Sequence, residues 1–286
     1  MNEYLLLRDR IAVLATMHQK EQVMAPILEE QLGIKVIVPQ NFNTDTFGTF
    51  TREIKRLGTQ IEAARLKAEK AMALTGETLA FASEGSFGPH PIIPYLPANR
   101  EIVILLDRAN NLEIIGESLS TETNYNHQLV SSVEAAENFA QTVGFPAHGL
   151  VIIVGDYSEG KGEIFKGITT SEKLIEIVEN SLKNSPNGIH IETDMRAMYN
   201  PTRMKNIENA TWDLINKFKH FCPQCGWPGF EIKESKKGLP CGFCYLPTQL
   251  VRSIIYRCQN CDFRQEELFP DGLETADPSF CQYCNP

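Results

Sequence analysis

Cysteine is absent from the first 221 residues of this 286-residue chain and then occurs eight times between Cys222 and Cys284. Such confinement excludes a body stapled by disulfides, because secreted scaffolds of that kind spread their cysteines across the whole framework. Long apolar runs are missing too. The longest, such as residues 102–106 and 150–154, fall far short of the ~20 residues that a helix needs to cross a bilayer. Positive charge is also scarce, with 27 Lys and Arg against 36 Asp and Glu and a net charge of -9. That balance opposes a role built on attraction to duplex DNA or an anionic membrane, although a local pocket on an acidic protein can still hold a small anion. Residues 1–10 carry Glu3 early and only a short apolar stretch, unlike a secretory leader. A cytoplasmic location is therefore expected.

The hydrophobic content of 42% suffices for one full core and a smaller unit. Residues 1–215 read as an α/β domain with a mixed sheet, and residues 216–286 as a zinc-binding module resembling a zinc ribbon. Residues 11–16 form an apolar strand. A helix over residues 21–32 carries Val23, Ile27, Leu28 and Leu32 on one stripe and ends at Gly33, and residues 34–38 form a second strand. A polar loop over 39–49 precedes a long helix over 52–75, where Ile54, Leu57, Ile61, Ala64, Ala68 and Ala71 recur at helical spacing. A strand over 78–83 runs into a glycine-rich turn from Glu84 to Pro91. Residues 101–107 and 112–119 read as an antiparallel pair joined through Ala109, Asn110 and Asn111. Helices follow near 131–142 and 171–182, with a buried strand at 150–154 between them. The last helix takes Asn200 as its N-cap and Pro201 at its first position, and runs to Phe218. Residues 155–162 fit G-x-x-x-x-G-K, yet Gly162 stands where a Mg-binding hydroxyl is needed and an extended stretch follows, so this segment is a hairpin turn.

The cysteines fall in four Cys-x-x-Cys pairs: Cys222 with Cys225, Cys241 with Cys244, Cys258 with Cys261, and Cys281 with Cys284. Two thiolates so spaced can face one ion from a tight turn, and a second pair completes the all-sulfur tetrahedron that Zn favours. Fifteen residues separate Cys225 from Cys241 and nineteen separate Cys261 from Cys281, both within the zinc-ribbon range. Sequential pairing is the first choice; nested and cross-braced pairings use the same ligands. With every position filled by sulfur, the two zinc ions are structural. Residues 222–286 carry six Lys or Arg against eight acids, which disfavours a basic grip on nucleic acid and favours scaffolding or docking of a partner.

The turn Ala15, Thr16, Met17, His18, Gln19, Lys20 is similar to an Ala-Thr-x-Asn-x-x-Lys motif, with the lysine one residue early and His18 in place of asparagine. The run Glu62 to Ala68 is similar to Glu-Asn-Ala-x-x-Lys-Ala, and Ser83, Glu84, Gly85 to an Ile-Glu-Gly-Gly turn. With the order of elements over 11–91, these motifs resemble the inosine triphosphate pyrophosphatase superfamily. The resemblance implies a Mg2+-dependent hydrolase of a nucleotide or related phosphate compound, acting as a nucleoside triphosphate pyrophosphohydrolase. Glu62 and Glu84 would lie on the metal and Lys20 and Lys67 on the phosphates. Thr16, His18, Ser86, His90 and Arg196 would lie near the substrate, with Asp194 and Arg203 in the region that contacts base or phosphate. The whole chain also resembles an uncharacterised bacterial family with a C-terminal zinc module. The alternative reading is a non-enzymatic protein that binds a small anion or nucleotide and whose zinc module docks a protein or RNA partner.

Overall fold

The computed structural model describes residues 6–40, 42–44, 58–155, 162–185 and 187–285. Two compact units emerge, one of Leu7–Leu214 and one that includes Ile215–Pro286. No helix among the described residues is long and apolar enough to cross a membrane.

The first unit holds two sheets. In the five-stranded sheet the order is β2-β1-β3-β4-β5, built from β1 (Ile11–Ala15), β2 (Lys35–Ile37), β3 (Leu79–Pro89), β4 (Pro97–Asp107) and β5 (Leu112–Ser120). β1 runs parallel to β2 and β3, while β3, β4 and β5 form an antiparallel meander. The sheet is therefore mixed, as the sequence implies. Helix α1 (Glu21–Leu32) links β1 to β2 and ends at Gly33 in the left-handed conformation, which glycine adopts without a Cβ penalty. Helix α2 (Gln60–Thr75) links β2 to β3. Its alanines Ala64, Ala68 and Ala71 pack on Val13, Ala15, Ala80 and Ala82, so small side chains on both surfaces let the helix approach the sheet closely.

Two departures from the sequence reading have local causes. Helix α2 starts at Gln60, later than its periodicity suggests, because Thr59 and Glu62 form a reciprocal capping box that satisfies first-turn N–H groups and fixes the start. Residues 51–57, with Ile54 and Leu57, lie outside the described residues. The glycine-rich segment after Ser83 is not a turn. β3 continues through it to Pro89, pairing Gly85 with Glu101 and Phe87 with Asn99, and the reversal falls at residues 90–96.

The second sheet, which the sequence reading did not separate, has the order β6-β9-β7-β8. It comprises β6 (His127–Val130), β7 (Leu150–Val154), β8 (Glu163–Ile168) and β9 (Ile189–Thr193), all antiparallel. The strands flanking the G-x-x-x-x-G-K segment pair as a hairpin; residues 156–161 lie outside the described residues. Helices α3 (Val133–Thr142) and α4 (Ser171–Asn184) cover this sheet through Phe139, Leu174 and Val178. Helix α5 (Pro201–Phe218) begins where the Asn200 side chain accepts the Arg203 N–H at 2.9 Å.

In the second unit three antiparallel strands, β10 (Glu231–Lys237), β11 (Val251–Arg257) and β12 (Arg264–Leu268), place β11 at the centre.

Gly116 on β5 lies so close to α5 that an added Cβ would collide with the Ala210 carbonyl and sit 2.5 Å from the Leu214 amide nitrogen. Backbone cannot yield as a side-chain tip can, so Gly116→Ala is expected to lower stability by about 2 kcal/mol. Urea unfolding followed by circular dichroism checks this.

Candidate functional site

The carboxyl ends of the parallel strands β1 and β3 bring together residues far apart in sequence. Along β3, alternation turns Ala80, Ala82 and Glu84 towards α2, and Phe81, Ser83 and Gly85 to the opposite face. Glu84 therefore meets Lys67 of α2, with Nζ 2.6 Å from Oε1 and both side chains buried. Gln60 of the same helix face donates to the Glu84 and Arg100 carbonyls at 2.7 and 2.9 Å.

On the opposite face Glu101 of β4 accepts from Arg203 Nε at 2.8 Å, and both side chains are almost wholly excluded from solvent. Asn99 donates to Glu101 at 3.0 Å, and Asn206 of α5 donates to Asn99 at 2.8 Å. Arg203 also donates to the Met195 carbonyl and lies under the Phe87 ring, 5.5 Å from its centroid. Gly85 is required here for space, since an added Cβ would collide with the Glu101 carboxylate and approach the Arg203 guanidinium to 2.6 Å.

Lys20 stands at the start of α1, just beyond β1, and is 6% exposed. Its Nζ donates to Ser83 Oγ at 2.8 Å and to the Ser83 carbonyl at 3.3 Å; no carboxylate among the described residues pairs with it directly. Burial, then the positive charges of Arg203 and Lys67, pull its ammonium down to about 7, against the weaker pull of Glu101 and Glu84. Among the described residues, three cations and two carboxylates thus share the cluster.

Thr16 and His18 are buried in the turn before Lys20, where the His18 N–H donates to Thr16 Oγ1 at 3.3 Å. The other sequence candidates are committed elsewhere. Glu62 lies five residues before Lys67 and so on a different face of α2. Its Oε2 caps the helix by accepting the Thr59 N–H at 2.7 Å, which holds the carboxyl below its ordinary range. His90 Nδ1 accepts the Ile92 and Ile93 N–H groups, both at 3.2 Å, and so organises the β3–β4 reversal. Ser86 is half-buried on β3. Arg196 holds Asp194 at 2.6 Å and covers the Tyr199 ring at 4.7 Å. The sequence reading missed Glu101, Gln60 and Ser83. Ser83 stands inside a quoted motif and Gln60 just before another, without a role assigned to either, but Glu101 sits in an apolar strand where one acid carries no local signal.

A magnesium site does not fit these donors as arranged. Glu84 is engaged by Lys67, Glu101 by Arg203 and Glu62 by a backbone amide. Among the described residues, the groups of His, Cys and acids that could hold a metal are two cysteine quartets, Cys222, Cys225, Cys258, Cys261 and Cys241, Cys244, Cys281, Cys284.

In each quartet two sulfur distances between pairs are 3.6–3.8 Å and all four sulfurs lie within 4.8 Å of one another, close to the ~3.8 Å edge of a tetrahedron with Zn–S bonds of ~2.3 Å, and all eight cysteines are free thiols. Pairing is cross-braced: the first pair joins the third and the second joins the fourth, so the sequential arrangement is not the one adopted. Topology explains this. β10 leaves the first quartet and reaches the second, β11 returns, and β12 goes out again, so the quartets clamp opposite ends of the sheet. The backbone amides of Cys244 and Phe243 draw the Cys241 thiol down to about 7, while hydrogen bonding to the Cys244 sulfur pushes the Cys284 thiol of the same quartet up to about 12.

Residues 67–286 match the profile of a family described as a domain of unknown function, DUF6671. The chain belongs to this family. Comparison with curated proteins gave no match. The DUF6671 region contains Lys67, Glu84, Glu101, Arg203 and all eight cysteines, and begins after Lys20.

Removing one member of the buried Glu101–Arg203 pair strands the other charge. Arg203→Met is expected to cost about 3–5 kcal/mol, and adding Glu101→Gln to recover part of that loss. A double-mutant cycle by urea unfolding measures both.

Proposed function

We propose that the α/β unit binds a small phosphate-bearing ligand, of the nucleotide class, over Lys20, Lys67 and Arg203. The observation that carries this reading is Lys20, a buried ammonium flanked by two further cations and held, among the described residues, by a hydroxyl and a carbonyl. An anion supplies the countercharge that no carboxylate of the described residues gives Lys20 directly. The resemblance of the Thr16–Lys20 turn and of Lys67 to phosphate-binding motifs supports the same ligand class. Binding is better supported than Mg2+-dependent hydrolysis, since Glu84 and Glu101 are both taken by cations.

Protonation sets the pH dependence. The free Lys20 ammonium loses its proton near pH 7, and an anion favours the protonated form. Affinity is therefore highest below pH 7 and falls as pH rises through it, by up to about tenfold per unit. Calorimetric titration with ATP, ITP and inorganic triphosphate is expected to show this fall in the wild type and a weak, pH-independent interaction in Lys20→Met. Binding unchanged in Lys20→Met would refute the reading. Pyrophosphate release that requires Mg2+ and vanishes in Glu84→Gln would replace it with hydrolysis.

In the second unit each quartet holds one structural zinc ion through four thiolates. Elemental analysis of reduced protein is expected to give two zinc ions per chain, and Cys258→Ser to lose the first while keeping the second. Metal-free folded protein would contradict this.

A further inference from the structure

The two quartets differ in what surrounds them. Around the first, Trp227, Phe230, Tyr256 and Phe263 pack inward on the cysteines as a small core, with Phe230 stacked on Tyr256 at 5.4 Å and on Phe263 at 5.9 Å. Around the second, aromatic side chains of the same two turns face solvent: Phe243 is 77% exposed, Tyr245 73%, Phe280 60% and Tyr283 65%. These four flank or lie between the ligand cysteines, and the coordination geometry therefore fixes them in one lobe.

Tyr245 sharpens the contrast. It follows the second cysteine of its turn and has a φ of 58°, in the left-handed region that bulky residues avoid. The equivalent position in the first quartet's opening turn is Gly226, with a φ of 70°. A large residue there costs of order 1 kcal/mol, and an exposed ring returns none of that to the fold.

The charge of the lobe is one-sided. The segments that build it, residues 238–249 and 269–285, contain Asp271, Glu274 and Asp277 and no Lys or Arg. All three acids are exposed. The backbone holds their segment against the aromatic turn, with Ala276 N–H donating to the Pro240 carbonyl at 2.7 Å and Gly242 N–H to the Ala276 carbonyl at 2.9 Å. The nearby lysines of β10 are engaged, Lys236 with Glu266 and Lys237 with Gln249.

We propose that this lobe docks a basic peptide segment of a partner protein. Arg and Lys side chains stack on exposed aromatic faces, and the three carboxylates supply the countercharge. A nucleic acid would bring its phosphates against the three exposed carboxylates. This surface is independent of the anion site in the α/β unit.

The test uses the full-length, zinc-loaded chain and a fluorescein-labelled peptide of alternating Arg and Leu, read by fluorescence anisotropy. An alternating Glu and Leu peptide and an oligouridylate serve as competing probes. The basic peptide is expected to bind saturably, more weakly as salt rises. Phe243→Ala with Tyr283→Ala is expected to weaken it about tenfold, as two lost stacking contacts imply. Asp271→Lys with Glu274→Lys, which leaves every aromatic and cysteine in place, is expected to weaken it independently. Failure of the basic peptide to bind, indifference to both pairs of substitutions, or preference for oligouridylate would each overturn the proposal.

Discussion

A cation buried in protein must be met by an acid or by something from outside, and this requirement governs how the α/β unit is put together. Lys67 and Arg203 are met from within by Glu84 and Glu101, which sit on opposite faces of one sheet because adjacent β3 and β4 positions alternate. Among the described residues Lys20 is met by Ser83. With three cations against two carboxylates among those residues, in a setting where water screens little, the imbalance is felt across the cluster. Burial depresses the Lys20 ammonium first, and the neighbouring cations Arg203 and Lys67 depress it further.

The second unit solves a different problem. It has few apolar side chains to bury, and its strands β10 and β12 are almost wholly exposed. A segment of that size rarely gains enough from a hydrophobic core alone, and thiolate coordination links folding to metal capture instead. The aromatic cluster at the first quartet adds a small apolar core; at the second, the thiols and backbone hydrogen bonds such as Gly242 N–H to the Ala276 carbonyl organise the turns, which leaves the rings there available for other use.

Much of this architecture is legible where local chemistry decides it. Helix α1 with its Gly33 terminus, and the Asn200-Pro201 start of α5, follow from capping rules that depend on a few adjacent residues. The membership of the cysteine clusters follows from spacing. Elsewhere the deciding contact is remote. Gly85 reads as a turn residue, but its lack of a side chain makes room for Glu101 and Arg203, two groups separated by 102 positions. The strand β6, HQLV, carries no alternation, and β9, IHIET, alternates over too few residues to announce a second sheet. Glu62 and Lys67 sit in one motif, yet five residues of helix turn them apart. The choice among quartet pairings depends on strand direction, which spacing does not encode.

The interleaved order of the cysteine pairs has a consequence for how the tail comes into being. The first quartet is complete once Cys261 has been made, and the loop it closes already encloses Cys241 and Cys244, whose partners are still to be synthesised. Two thiols of the later centre must therefore wait inside the earlier one without capturing its metal or its ligands. No contiguous half of the tail is a self-sufficient piece, so a cut anywhere between the second and third pairs disables both centres at once, and recombination can move the tail only whole.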